Sequence, residues 1–209
     1  MGRGVNWWRA HGERALVGLA IAVCMLATLA PLAAARYLPL LDAPNHLGAI
    51  AIWRHYAESE FGFARHYELN LSPVPYWGYF GVVRVLAELL PLELANKLFV
   101  AAALLSLPLG LAAFLRAHGR PTILAVAALP LAWSYDLALG FVAYVAGVGL
   151  LLGALALLAR LADAPRSRLV WPCVAVGFLL YFLHPIPFVL WVLAVFLYVQ
   201  RRAALVVAP

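Results

Sequence analysis

LALGFVAYVAGVGLLLGALALL, the stretch from Leu137 to Leu158, decides the fold class. It contains no charged side chain, and its apolar residues are continuous rather than alternating. A membrane β-barrel strand alternates faces and is much shorter, so this run reads as a helix. It is long enough to cross a hydrocarbon core of about 30 Å. Only a helix satisfies every backbone amide and carbonyl internally in that setting.

Working outward, the pattern repeats. Leu94 to Leu115 is a second clear run, and it ends at the basic connector Arg116 to Arg120. Pro121 to Tyr135 lies between the two, interrupted by Pro130 as Leu94–Leu115 is by Pro108. Beyond Leu158, the connector with Arg160, Arg166 and Arg168 leads to the runs Leu169–Leu183 and Pro187–Val199, separated by His184-Pro185-Ile186-Pro187. The Pro121, Leu169 and Pro187 runs fall below the usual spanning length. At the front, Ala15 to Ala35 follows Arg3, Trp7, Trp8, Arg9 and Arg14. Ala33-Ala34-Ala35 resembles a cleavage site, but the run is longer than a signal-peptide core, so an uncleaved first helix is expected. The expected fold is all-α, a polytopic helical membrane protein with about six spans.

Composition agrees. Hydrophobic residues make up 66% of the chain and charged residues 11%, far from the mix of a soluble globular domain. The net charge of +6 does not point to nucleic acid, because many arginines sit in connectors between apolar runs. With an inside N-terminus, Arg3, Arg9, Arg14, Arg116, Arg120, Arg160, Arg166, Arg168, Arg201 and Arg202 fall inside. Arg36, Arg54, Arg65, Arg84 and Lys97 fall outside, and of the acids only Glu13 and Asp163 are inside. That asymmetry has the sign of the positive-inside rule. Cys24 and Cys173 lie far apart within apolar runs, without disulfide or zinc spacing. A further apolar run, Ala203 to Ala208, starts after Arg202 and stops at Pro209, so the chain is expected to be the N-terminal part of a longer protein.

Residues 36–91 are the one long mixed segment, expected to be an outer loop with interfacial helices. It opens with Arg36-Tyr37-Leu38-Pro39-Leu40-Leu41-Asp42-Ala43-Pro44-Asn45-His46-Leu47. Pro44 suits the first turn of a helix, on which Ile50, Trp53 and Ala57 would share a face with His46. Ser72-Pro73-Val74-Pro75 then breaks the chain. Tyr76 to Leu90 is short for a span and carries Arg84 and Glu88, spaced to pair across one turn.

The topology brings Asp42, His46, Asp136 and His184 to the same outer face. Ionisable groups close to a bilayer are costly and ask for an explanation. A carboxylate beside a histidine can act as general base, metal ligand or hydrogen-bond acceptor for a sugar. Each residue also has a structural explanation. Asp42 can cap a helix that starts one residue before Pro44. His46 can be an interfacial residue. Asp136 can serve a tight turn, and His184 can meet free carbonyls at a helix end. The structural explanation is the stronger one for all but Asp42.

The first helix followed by Leu40-Leu41-Asp42-Ala43-Pro44-Asn45-His46 resembles the start of the GT-C class, multi-spanning glycosyltransferases that use lipid-linked sugars. Pro73-Val74-Pro75-Tyr76 and Pro91-Leu92-Glu93-Leu94-Ala95-Asn96-Lys97 are similar to segments that lead into the next span there. The resemblance implies that Asp42 is the catalytic carboxylate, activating an acceptor for attack on a polyprenyl-phosphate sugar. It implies that His46 positions donor phosphate or a metal, and that Arg54, Arg65 or Arg84 meets the phosphate. Asp136 and His184 are further substrate-binding candidates. No second acidic residue stands beside Asp42, which weakens a metal-dependent version; a divalent metal remains an open cofactor. Partners are then the membrane and a polyprenyl-phosphate sugar lipid, with no nucleic acid. The site would face the periplasm or exterior, and the N-terminus the cytoplasm. The competing expectation is a non-catalytic membrane component or a transporter fragment. A transporter favours paired broken helices, and no repeat relates Pro108 to Pro130.

Overall fold

The computed structural model describes residues 19–163 and 167–207. The expectations resting on Arg3, Trp7, Trp8, Arg9, Glu13, Arg14, Arg166 and Pro209 lie outside the described residues. Among the described residues the protein is all-helical, with no strand. In chain order the helices are α1 (Leu19–Ala34), α2 (Ala43–Arg54), α3 (Trp77–Leu86), α4 (Leu92–Ala117), α5 (Ala128–Ala132), α6 (Tyr135–Leu139), α7 (Val142–Asp163), α8 (Val170–Leu183) and α9 (Pro185–Val207). Three segments are long and apolar enough to cross a membrane: Leu92–Ala117, Thr122–Leu139 and Val142–Ala162. The stretches Leu19–Ala34, Val170–Leu183 and Pro185–Arg201 are apolar but shorter.

The pair α4–α7 forms the centre, and small residues let it close. A Cβ on Gly110 would stand 2.0 Å from the carbonyl oxygen of Gly149, and one on Gly149 would meet Ser106 Oγ at 2.2 Å. Lipid gives no hydrophobic drive between helices, so backbone-to-backbone packing of this kind holds such pairs together. Pro108 does not interrupt α4, which runs through it as one helix. The break expected at Tyr135–Asp136 falls just before it, at Trp133–Ser134 between α5 and α6, and a second lies at Gly140, whose φ of 98° ends α6 in the left-handed conformation. Glycine adopts it without a Cβ clash. At the other junction only His184 is extended; Pro185 already starts α9, where a missing N–H costs nothing.

The 36–91 segment packs against one end of this bundle. Arg36 donates to Glu93 Oε1 at 2.8 Å, and Lys97 Nζ donates to the carbonyl of Ala35. These contacts tie the exit of α1 to the entry of α4. The helix α2 starts at Ala43, one residue before Pro44, and stops at Arg54, so Ala57 does not share its face. Ile50 does face inward and is fully buried. The inner stripe of α3 is Tyr79 and Val83, continued by Ala87. Tyr79 donates to Asn96 Oδ1 of α4 at 2.7 Å. Farther along, Tyr181 of α8 donates to the carbonyl of Pro73 at 3.0 Å.

Candidate functional site

Asp42 is held by its backbone. Leu38 and Leu40 are buried while Leu41 points out, so the chain is anchored just before Asp42. The amides of Leu41 and Asp42 then donate to the carbonyls of Ala138 and Leu139, at 2.9 and 3.1 Å. Those carbonyls end α6 and have no partner within that helix. A Cβ on Gly140 would stand 2.8 Å from Asp42 Cβ and 2.9 Å from its nitrogen. Only glycine admits the approach.

The side chain of Asp42 remains uncommitted to the helix it precedes. Asp42 occupies the N-cap position of α2, yet its carboxylate accepts no capping bond. Instead Asn45 Nδ2 donates to its Oδ1 at 3.3 Å. The half-buried carboxylate is therefore oriented rather than neutralised.

His46 sits one turn along α2, its amide donating to the carbonyl of Asp42 at 3.0 Å. Its ring packs on Tyr79 and edge-on to Phe80, with centroids 5.3 and 5.5 Å away. Burial pulls its pKa below the ordinary 6.5, and the nearby Asp42 charge opposes that shift. Nδ1 is buried with no hydrogen-bond partner among the described residues.

Beside this pair lies a groove of about 630 Å³, running along α2 from Asn45 to Trp53. Tyr67, Tyr76, Trp77 and Phe80 supply aromatic surface, and Gly48 and Ala49 leave room. Tyr76 has φ 74°, the one non-glycine residue in the left-handed region among the described residues. Such a backbone costs a side-chain-bearing residue roughly 1–2 kcal/mol. The Tyr76 ring meets His184 edge-on at 5.2 Å.

His184 is buried, and Tyr144 contacts its other side at 5.1 Å. The amide of Ile186 donates to its Nδ1 at 3.2 Å, leaving Nε2 to carry the proton. Burial lowers its pKa as well. Ser134 caps α6 by accepting from the amide of Leu137, so Asp136 lies in the first turn of that helix rather than at its cap.

Asp42, His46, Asp136 and His184 thus gather at one end of the bundle. The arginines stand apart from Asp42. Arg54 ends α2, about 18 Å away by the rise of a helix. Arg84 pairs with Glu88 and lies over the Trp53 ring at 6.0 Å, while Arg65 is exposed at the end of a short 3-10 turn. The groove is lined along α2 from Pro44 and Asn45 to Trp53, and Asp42, Arg54 and Arg84 lie outside its lining. Among the described residues no group of three His, Cys, Asp or Glu side chains is placed to hold a metal ion.

Asn45, Gly140 and Tyr76 were not singled out by sequence. Gly140 carried the signal of a helix-ending glycine, but its partner 98 residues earlier left no mark. Nothing local marks Tyr76.

Among the described residues the architecture is all-helical, with three segments long and apolar enough to cross a membrane. Against known proteins, the chain matches no family model, no curated sequence and no solved structure.

Proposed function

We propose that the chain is an integral membrane glycosyltransferase that takes a sugar from a polyprenyl-phosphate donor at the outer membrane face. The observation that carries this reading is the setting of Asp42: its backbone pinned by α6, its carboxylate unused by the helix cap, and an aromatic-walled groove beside it. In the proposed reaction Asp42 accepts the proton of an acceptor hydroxyl as that oxygen attacks the anomeric carbon, and polyprenyl phosphate leaves. Asn45 orients the carboxylate. His46, its ring packed against Tyr79 and Phe80, backs the turn of α2 that presents Asp42 and Asn45. Aromatic faces line the groove for the sugar ring or the first isoprene units. Arg54 and Arg84, next to Trp53 and just outside the groove, are the cations nearest that end for an anionic group of a substrate that extends past it. In the full proposal α1, α8 and α9 add to the three longer segments to give six spans, with the N-terminus cytoplasmic.

The test is transfer of labelled sugar from a polyprenyl-phosphate donor in membranes containing the chain. Asp42→Asn should lower transfer by about 10²–10⁴-fold, the usual worth of a general base, with insertion unchanged. Undiminished transfer removes Asp42 from the chemistry. Ligand retention without any transfer by the unaltered chain supports a non-catalytic binding component instead.

A further inference from the structure

We infer that a crevice between α1, the last turns of α4 and residues 122–129 binds an anionic phospholipid, with Arg116 on its phosphate. Its Arg116 lies 23 residues along α4 from Glu93, about 35 Å by helix rise from the Asp42 end. It does not depend on the chemistry proposed there.

The crevice encloses about 280 Å³. Ile21 and Met25 of α1 form one wall, and Ala112 of α4 and Val126 form others. Its two polar lining residues are Arg116 and Thr122. The gap exists because the chain does not resume an α-helix after the turn at Gly119. Pro121 leads into a 3-10 turn over Thr122–Ala127, which is narrower than an α-helix and packs beside α4 without filling the space.

Three observations select the occupant. First, the walls on α4 and residues 122–129 belong to segments long and apolar enough to span a bilayer, the α1 wall is apolar too, and Leu109 and Ile123 at the rim are exposed. Hydrocarbon is what such a rim meets in a membrane. Second, the volume is smaller than one turn of a helix about 10 Å wide and 5.4 Å in pitch, so a helix of another chain does not fit, whereas an acyl chain does. Third, the charge is one-sided. No acidic residue occurs between Glu93 and Asp136, while Arg116 and Arg120 flank the turn at the mouth. A guanidinium suits a phosphodiester, and basic recesses between spanning helices are where anionic head groups lodge.

The full chain in mild detergent is offered equal amounts of phosphatidylglycerol and phosphatidylcholine and examined by native mass spectrometry. Phosphatidylglycerol should be retained at least several-fold over phosphatidylcholine. Arg116→Gln, at an exposed side chain, should remove that preference. Arg168→Gln, on another connector, should keep it. Ala112→Phe, which fills the crevice, should lower retention of both lipids. A phosphatidylglycerol carrying a diazirine on its acyl chain should crosslink within residues 21–25 or 108–129. Equal retention of the two lipids, equal loss in Arg116→Gln and Arg168→Gln, or crosslinks confined to other segments would overturn the assignment.

Discussion

Between Asp42 and His46 two opposing influences can be separated experimentally. Burial lowers the imidazole pKa and the Asp42 charge raises it, burial being the larger. Removing the charge in Asp42→Asn should therefore move the His46 pKa further down. Following the His46 ring resonances against pH by NMR checks this, and an upward move would mean that the carboxylate does not act on that ring. Gly140 makes a second case. Its left-handed backbone and its approach to Asp42 both exclude a Cβ. Gly140→Ala should cost about 1–3 kcal/mol of stability and displace Asp42. Unfolding in denaturant should show the first effect, and reduced sugar transfer in the surviving folded fraction the second.

At the scale of elements, the Tyr79–Asn96 bond joins α3 to α4 in a buried setting. Tyr79→Phe should destabilise by about 1–3 kcal/mol, because Asn96 loses its partner away from water. Adding Asn96→Leu should recover much of that loss, and a double-mutant cycle measures the coupling. Parts of this level were legible beforehand. The long apolar runs announced α4 and α7, because lipid tolerates little else over such lengths. The spacing of Arg84 and Glu88 gave their ion pair, since side chains four apart share a helix face. Pro44 announced α2 but not its end at Arg54. The closeness of α4 to α7 rests on Ser106, Gly110 and Gly149 meeting across helices, and small residues in separate runs do not reveal which will face each other. The clasp of Leu41 and Asp42 on Ala138 and Leu139 was illegible for the same reason: it is a pairing between distant backbones, and any side chain at 41 or 42 leaves the amides unchanged.

The whole molecule should respond to acid in a definite direction. His46 and His184 have pKa values depressed by burial in the folded state. The unfolded chain then binds more protons near and below pH 6.5, so stability should fall as pH drops through that range. Above it, both forms are neutral and the effect vanishes. Thermal unfolding in detergent at pH 5 and pH 7.5 tests this; equal midpoints would deny the two histidines that role. Orientation is open to a similar check. With the N-terminus cytoplasmic, a thiol reagent outside intact cells should label Glu60→Cys, and His118→Cys only after permeabilisation. The reverse pattern would invert the proposed topology.

The hold that α6 keeps on Asp42 also has a consequence in time. Leu139 is made 97 residues after Asp42, an interval of about 5–20 s at ordinary rates of synthesis. Throughout that interval the carbonyls that hold the backbone of Asp42 do not yet exist. The nascent chain therefore carries an unassembled site while several helices are still being inserted, and a ribosome stalled before Leu139 would leave the loop in that state. The fixing of Asp42 is thus timed by the arrival of a short helix from the middle of the chain.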